Sequence, residues 1–555
     1  MSITVDLDVP ARMRDGTTLQ ANVYRPEGDG PWPTLLTRLP YGKDGQDVVR
    51  ILDPIQAARR GFMVVIEDCR GRFASDGEWV PLRFEAQDGY DSVEWAARLP
   101  GSNRRVGMYG ESYMGNTQWL AAVERPPSLA AIAPAFTWSE PGDGLVGRGG
   151  AVELGLALSW SLSTGLDYVH RLPGNETERE QRASALMDEY DRLTEDGYWH
   201  LPVTDQQSLL RHGIEKVGLL RALDDPDFLA SNTLTDRYAS VTVPTFHTAG
   251  WHDVFLQGTL DGYAAMSALG REARLLVGPW THATFADPIG EKVFGLRAGR
   301  YGVPAHEHGD ANDLLLRWFQ HHLSDRRATA FAGAPVRIFV MGANAWRDES
   351  AWPLARAKQE TWFMHSDGSL SASKPTSDEA DSQFAYDPAD PVPTLGGPHL
   401  LSPAYPAGPW EQSLIEGRQD VLVFTSAPLE RSLEVTGRVQ AVLHAQSSAP
   451  ATDWVVRLCD VHPDGRSFNL GDGVLRTRDG ANAAHRYKID LWSTSNVFLS
   501  GHRLRVQVTS SCFPRWDRNL NTGDQRRKDH LVAQQLIHHN AAHPSYIELP
   551  VVPDS

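Results

Sequence analysis

The stretch GMYGESYMG, from Gly107 to Gly115, decides how the first part of this sequence is interpreted. It follows a polar turn, GSNRR, and precedes NTQWLAA, which is typical of the start of a helix. A strand, a sharp turn with a serine, and a helix form the layout of a nucleophile elbow, which needs small residues around the serine. The usual pattern is G-x-S-x-G. Here Met114 holds the last small position and Gly115 follows it.

Two interpretations of Ser112 are open on this short motif alone. In the first, the serine caps the helix that begins after it. In the second, it is a nucleophile, and the N–H of Tyr113 points at the oxyanion that develops during acyl transfer. The dipole of the helix N-terminus would favour that negative charge.

Candidate partners for Ser112 follow it in the order expected for this kind of sheet, which is serine, then acid, then histidine. TFHTAGWHDVF carries Asp253, and RLLVGPWTHATF carries His282. The two residues are 29 positions apart (282 − 253), a suitable length for one strand–helix–strand step. Each follows a strand-like run, where active sites in open α/β sheets are built. Singly, each is better explained as a loop or turn residue, but the ordered set favours a catalytic triad.

The pattern of strands and helices divides the chain into four parts. Residues 1–136 alternate apolar runs with helical patterns, which predicts a mainly parallel α/β sheet. Residues 137–240 are helix-like, and residues 241–334 return to the α/β pattern. In residues 335–555, apolar side chains recur two apart, as in an antiparallel β-sandwich or jelly roll. We therefore expect an α/β core, interrupted by a helical insert and followed by a β domain.

Composition narrows the class of protein. The chain has 555 residues and a formal net charge of −17, which argues against nucleic acid as a partner. Its three cysteines match no metal spacing and indicate a reducing compartment. The first residues contain no apolar signal core, and no run of apolar residues is long enough to span a membrane. These features predict a cytoplasmic protein, and a homo-oligomer is left open.

Several stretches of the chain resemble the cocaine esterase/X-prolyl dipeptidyl peptidase-like serine hydrolases, the CocE/NonD family. The matching stretches are RLPYGK (38–43), VVIEDCRGRFASDGEW (64–79), GESYMG (110–115), GWHD (250–253), GPWTH (278–282) and SSCFPRWDRNLNTG (510–523). The family's elbow reads G-x-S-Y-x-G, which accounts for the displaced glycine. The resemblance implies an α/β-hydrolase core, an inserted helical cap and a C-terminal jelly roll.

The resemblance also implies roles for particular residues. Ser112 corresponds to the nucleophile, His282 to the base and Asp253 to the acid that orients it. Tyr41 would donate its hydroxyl to the oxyanion beside the N–H of Tyr113. A phenol is a neutral donor at pH 7, so this role is chemically sensible.

Other motifs are assigned no chemistry. Asp68 and Arg70 are expected to brace a loop, and residues 510–523 are expected to be structural. HEHGD (306–310) lacks the second histidine of the zinc motif H-E-x-x-H. The adjacent pairs His321–His322 and His538–His539 are expected to be surface residues, because neighbouring side chains point in different directions. No phosphate- or dinucleotide-binding motif is present, so no cofactor and no metal are predicted.

The expected reaction is hydrolysis of a carboxylic ester with an aromatic or otherwise apolar acyl part. Phe255 and Trp160 are candidates for the pocket lining by resemblance to cocaine esterase, although Trp160 is equally well explained as cap packing. A free amine would need carboxylates in the pocket, for which Glu111, Glu140, Asp143 and Asp287 are the candidates. Three alternatives use the same triad: an amidase, a dipeptidyl peptidase and an acyltransferase. A fourth is a non-catalytic protein whose jelly roll binds carbohydrate or a partner protein.

Overall fold

The computed structural model describes residues 2–205, 207–300, 310–324, 333–524 and 526–553. The strands are β1 Ile3–Arg12, β2 Thr18–Pro26, β3 Trp32–Leu39, β4 Met63–Asp68, β5 Ser102–Glu111, β6 Leu129–Ala135, β7 Gly147–Arg148, β8 Ala151–Val152, β9 Thr245–His252, β10 Ala273–Thr281, β11 Val336–Val340, β12 Ala345–Glu349, β13 Lys358–Met364, β14 Ser369–Ser371, β15 Ser382–Tyr386, β16 Leu422–Ser426, β17 Leu433–Ser447, β18 Thr452–Val461, β19 Ser467–Thr477, β20 His485–Phe498, β21 Arg503–Thr509, β22 Ala533–Ile537 and β23 Tyr546–Val552. The α-helices are α1 Pro54–Arg59, α2 Glu85–Ala97, α3 Tyr113–Val123, α4 Leu154–Arg171, α5 Glu176–Asp191, α6 Gln207–His212, α7 Pro226–Asn232, α8 Leu256–Ala268, α9 Ala311–Leu323 and α10 Ser413–Glu416.

The first large sheet has the strand order β1-β2-β4-β3-β5-β6-β9-β10-β11-β12. The seven strands from β4 to β11 in this order run parallel. The edge strands β1, β2 and β12 pair antiparallel. This arrangement confirms the predicted α/β-hydrolase core. Helices α4 to α7 lie in the chain between β6 and β9, as a cap inserted into the core.

The central strands are mainly apolar because both faces of the sheet are covered, and the buried charges of Arg38, Glu67 and Asp68 lie near their carboxyl ends. Every residue of β4 is buried, and so are the last seven of β3. Helix α9 contacts β5 and β6, and α3 contacts the same two strands. A parallel sheet covered in this way needs continuous apolar runs, which is the pattern of MVVIED and LLTRL. Within the described part of the chain, no helix combines the length and the apolar character needed to cross a membrane.

The first sheet extends beyond the boundary expected at residue 335. Strand β11 pairs parallel with β10, with Leu275 opposite Val336, and β12 pairs antiparallel with β11. The hydrolase sheet therefore continues to Glu349, and a division at 334/335 separates two of its strands from the rest. The sequence could not show this, because a five-residue run such as VRIFV fits a strand in either sheet.

The second large sheet forms the C-terminal β domain of jelly-roll type. Its order is β15-β22-β17-β23-β13-β14-β16-β21-β18-β19, with β20 paired to β17. Its pairs are antiparallel except β14 with β16. The two-apart apolar pattern of LEVTGRVQAVLHA and HRLRVQVTSS corresponds to β17 and β21.

A buried charge cluster joins the β domain to the cap. The Arg515 Nη1 donates to Asp472 Oδ1 at 2.5 Å, and its Nε lies 3.8 Å from the Glu153 carboxylate. Trp516 Nε1 also donates to Glu153, at 2.8 Å. Glu153 precedes α4 directly. The motif 510–523 therefore fixes the beginning of the cap helix, which supports its expected structural role.

Replacing Arg515 should destabilise the whole protein. Arg515→Met leaves the buried carboxylates of Asp472 and Glu153 short of a partner, at a cost of about 3–5 kcal/mol. We expect a clearly lower Tm by circular dichroism or calorimetry. The matched control is Arg466→Met, because Arg466 pairs with Asp464 at the exposed surface and such pairs contribute little. Equal Tm values for the two variants would contradict a structural role for the cluster.

Candidate active site

Ser112 lies at the sharp turn between β5 and α3, with φ 59° and ψ −124°. Few residues with a side chain adopt a positive φ, and those that do are often functional. Hydrogen bonds fix this turn: the Ser112 N–H donates to Ala135 O, and the Ser112 carbonyl accepts from Gly115 and Asn116. The side chain makes no capping hydrogen bond to α3. The interpretation of Ser112 as a helix cap is therefore wrong.

Two glycines allow the close approach that this turn requires. A Cβ on Gly110, whose φ is 138°, would lie 2.5 Å from the Met114 Cβ. A Cβ on Gly115 would lie 2.7 Å from the Thr137 Cβ and 2.9 Å from Ala135 O. Because α3 meets the end of β6 at Gly115, the second glycine is needed one residue later than in the usual elbow.

Asp253 and His282 meet at the same edge of the sheet. Asp253 follows β9 and is fully buried, and its Oδ2 lies 2.6 Å from His282 Nδ1. The Asp253 Oδ1 accepts from the Phe255 N–H at 2.7 Å, which fixes the carboxylate. A carboxylate only accepts, so Nδ1 carries the proton and Nε2 keeps its lone pair. The ring of Phe255 stands edge-on to His282, with centroids 5.2 Å apart.

Tyr41 lies beside Ser112 and contacts the cap. Its hydroxyl accepts a hydrogen bond from Trp160 Nε1 at 3.1 Å, and Tyr41 lines the same cavity as Ser112. Burial raises the pKa of Tyr41 to about 12. Because Trp160 occupies an acceptor position of the phenol oxygen, the Tyr41 proton is directed away from the cap.

Tyr113 presents only its backbone to the serine. Its hydroxyl donates to Glu85 Oε1 and accepts from the Leu82 N–H, both at 2.8 Å. Burial raises the pKa of this phenol well above its usual value. Tyr113 is the first residue of α3, so its N–H has no acceptor within the helix and is available to a ligand.

A small apolar cavity of about 320 Å³ opens at Ser112. Trp160 and Phe255, the two predicted lining residues, both line it. No charged side chain lines the cavity among the residues that the structure describes. The rest of the lining consists of Tyr41, Leu82, Tyr113, Trp138, Leu145, Leu156, Leu219 and Leu400.

The candidate carboxylates for amine binding have other partners. Glu140 accepts a hydrogen bond from Thr235, and Asp287 accepts from the N–H groups of Phe294 and Gly295. Burial raises the pKa of Asp143, which lies beside Arg148. None of these three carboxylates lines the cavity.

Arg50 and Glu111 form an ion pair behind the serine that sequence analysis missed. The Arg50 Nε lies 2.8 Å from Glu111 Oε1, and its Nη2 donates to the backbone carbonyl of His282 at 2.9 Å. Glu111 is buried, which raises its pKa, while Arg50 opposes this shift. Arg50 therefore connects the strand that carries Ser112 to the loop that carries His282. No motif signals this pair, because its members are 61 residues apart (111 − 50) and Arg50 lies in a loop.

Asp68 and Arg70 brace loops, as predicted. Asp68 accepts from the N–H groups of Lys43 and Ala74, and Arg70 pairs with Asp88 and Asp15.

The HEHGD motif and the two histidine pairs were considered above as possible metal sites. Residues 306–309 of HEHGD lie outside the described residues, so that motif stays a prediction. His538 pairs with Asp381. His539 is fully buried and its Nδ1 contacts the Met364 carbonyl, so the expected surface position is wrong for this residue. Among the described residues, two groups bring possible metal-ligating atoms close together: Glu272 with His321 and His322, and Asp460 with His462 and His502.

Two family models match most of the chain. Residues 15–284 match the X-Pro dipeptidyl-peptidase (S15 family), and residues 331–548 match the X-Pro dipeptidyl-peptidase C-terminal non-catalytic domain. The chain is 36% identical to cocaine esterase from Rhodococcus sp. (strain MB1 Bresler), over 99% of each chain.

Solved structures share the fold over the whole chain. An aminopeptidase from the marine sediment archaeon Thaumarchaeota archaeon has a TM-score of 0.80 at 23% identity, covering 100% of this chain and 96% of its own. An alpha-amino acid ester hydrolase has a TM-score of 0.78 at 24% identity, covering 99% and 96%. The chain belongs to the cocaine esterase/X-prolyl dipeptidyl peptidase-like (CocE/NonD) family and is a serine hydrolase. The predicted resemblance is confirmed.

Removing Arg50 should lower activity through the position of His282. Arg50→Met frees the His282 carbonyl and leaves a buried Glu111 without its partner, so kcat/KM should fall about tenfold to a hundredfold. In the double variant Arg50→Met/Glu111→Leu, apolar packing replaces the ion pair and should restore Tm but not kcat/KM. Arg14→Met is the control, because Arg14 pairs with Asp91 at the surface. Recovery of full activity in the double variant would contradict a positioning role.

Proposed function

We propose that this protein hydrolyses carboxylic esters through an acyl-enzyme on Ser112, with His282 as general base and Asp253 as its orienting acid. The observation that carries the proposal is the 2.6 Å hydrogen bond between His282 Nδ1 and Asp253 Oδ2, at the sheet edge where Ser112 is held in its strained turn. Serine is a poor nucleophile without such a base, and this tautomer leaves His282 Nε2 free to accept a proton.

Acylation begins when Ser112 Oγ attacks the ester carbonyl and His282 Nε2 accepts the hydroxyl proton. The carbonyl oxygen becomes an oxyanion, which the Tyr41 hydroxyl and the Tyr113 N–H stabilise by hydrogen bonds. The C–O bond to the alcohol then breaks, and the alcohol leaves with the proton from His282. Water, activated by His282, attacks the acyl-enzyme and releases the carboxylic acid, which regenerates Ser112.

The cavity lining supports an ester whose acyl part is aromatic or otherwise apolar. Trp160, Phe255 and Trp138 offer aromatic surface beside Ser112. A free α-ammonium group would need a carboxylate in the cavity, and the described lining residues include none. A cavity lining without a carboxylate among the described residues favours an ester hydrolase over a dipeptidyl peptidase. The curated relative named cocaine esterase supports the same preference.

Three buried cysteines with free thiols, Cys69, Cys459 and Cys512, support the proposed cytoplasmic location. Free thiols persist where the compartment is reducing. The homo-oligomer stays a prediction.

Labelling with a fluorophosphonate tests the nucleophile. We expect a single modification on the peptide that carries Ser112, located by mass spectrometry, and no labelling of Ser112→Ala. Label on another serine of the folded protein would overturn the proposed triad.

Ester and amide substrates with matched acyl parts then test the substrate class, and the ester should have the higher kcat/KM.

Tyr41→Phe should lower kcat/KM on the order of a hundredfold or more, because one oxyanion donor is lost while the ring is kept.

The raised pKa of the Tyr41 phenol also determines how the activity of the wild type depends on alkaline pH. The Tyr41 proton is needed for donation and is lost only as pH rises through about 12. Activity should therefore show no fall near pH 10, where an ordinary phenol titrates. A fall near that pH in the wild type that is absent in Tyr41→Phe would contradict this account.

A further inference from the structure

A second, larger pocket lies between the hydrolase core and the β domain, and it shares no lining residue with the Ser112 cavity. We call it the rear pocket and define it by its polar residues His252, Lys292, Asp460, His462 and His502. Its volume, including the part that is open to solvent, is about 710 Å³. Concave sites with apolar walls and a few converging polar groups are typical ligand sites.

Among the described residues, the Lys292 ammonium group makes no direct ion pair, although the Asp460 carboxylate of the same pocket acts on its charge. Its Nζ lies 2.8 Å from His462 Nε2 and 4.4 Å from the centre of the Phe468 ring. Among the residues that the structure describes, no carboxylate lies within 4.0 Å of it. Burial lowers the pKa of Lys292. A half-buried cation without a direct ion pair is costly, and an anion bound beside it would reduce that cost.

His252 supplies a second unsatisfied group. Its side chain is fully buried, and neither ring nitrogen has a hydrogen-bond partner in the described structure. Buried polar atoms are nearly always paired, so an imidazole without a protein partner at a pocket wall is a candidate hydrogen-bond donor to a ligand. His252 directly precedes Asp253, which places the rear pocket behind the strand end that carries the triad acid.

The charges of the rear pocket favour an anion over a metal ion. Asp460, His462 and His502 have suitable spacing for a metal. However, an ammonium group only donates, so Lys292 occupies the lone pair of His462 Nε2 that a metal would need. The Asp460 carboxylate is also engaged, because it accepts from His502 Nδ1 at 2.8 Å. A metal would have to displace both contacts and lie beside the lysine charge.

Apart from Asn344 and Asn496, the remaining walls are apolar. Phe294, Met341, Phe468, Leu470 and Leu499 line the rear pocket. A ligand that fills it must therefore combine one anionic group with an apolar body. Inorganic anions would leave this surface in contact with water, which is unfavourable.

We propose that the rear pocket binds a small monocarboxylate with an aromatic or aliphatic body, with its carboxylate on Lys292 and His252 and its body against Phe294 and Phe468. A charge-assisted hydrogen bond from an ammonium to a carboxylate is among the stronger polar contacts in proteins. This site goes beyond the proposed esterase function and does not depend on it.

Isothermal titration of the full chain with benzoate tests this proposal. We expect saturable binding to the wild type, and at least about tenfold weaker binding of benzyl alcohol, which keeps the ring and lacks the charge. Lys292→Met should weaken benzoate binding by at least about tenfold, and Lys292→Arg should retain it. Lys216→Met is the matched control, because Lys216 lies on the cap surface and pairs with Glu78.

Several results would overturn the site. Unchanged benzoate affinity in Lys292→Met would place the ligand elsewhere, including in the Ser112 cavity. Equal affinity for benzyl alcohol would remove the role of charge, and this comparison on the wild type stays valid even if Lys292→Met fails to fold. Absence of benzoate binding, together with Zn²⁺ binding that is lost in His462→Ala, would identify a metal site instead. All of these results are independent of whether Ser112 is the nucleophile.

Discussion

The positive φ of Ser112 is the constraint on which the site depends. This backbone conformation is unfavourable for a residue with a side chain, and it persists because its neighbours hold it. The Ser112 N–H is bound to the end of β6, and its carbonyl begins α3. Gly110 and Gly115 remove the side chains that would clash with the turn. The same geometry directs the serine into the cavity and leaves the Tyr113 N–H unpaired beside it.

The three parts of the chain each contribute to this site. The core provides Ser112, Asp253 and His282 at neighbouring strand ends. The cap provides Trp160, which donates to the Tyr41 hydroxyl. The β domain has no residue in the proposed triad, but Arg515 and Trp516 hold Glu153 at the start of the cap helix α4. The β domain therefore positions Trp160 indirectly, through helix α4.

Local patterns predicted the fold and the candidate triad, and they failed where distant residues meet. Asp253 and His282 could be found because each follows an apolar strand and their order is fixed by the fold. Arg50 could not be found, because an arginine in a loop gives no sign of the carboxylate 61 residues away (111 − 50) that it will pair with. The rear pocket could not be predicted from local patterns either, since Lys292 and His462 come from different domains. The sequence pattern places β11 in the β domain, but the structure pairs it with β10 of the hydrolase sheet. A short apolar run does not specify the strand with which it pairs.

The most direct test of the central claim is a crystal structure of the protein after reaction with a fluorophosphonate. The phosphonyl group on Ser112 imitates the tetrahedral intermediate, and its oxygen takes the position of the oxyanion. The account predicts that this oxygen lies within about 2.7–3.1 Å of both the Tyr41 hydroxyl and the Tyr113 N–H, with His282 still bound to Asp253. An adduct whose oxygen is directed away from these two donors would contradict the proposed site.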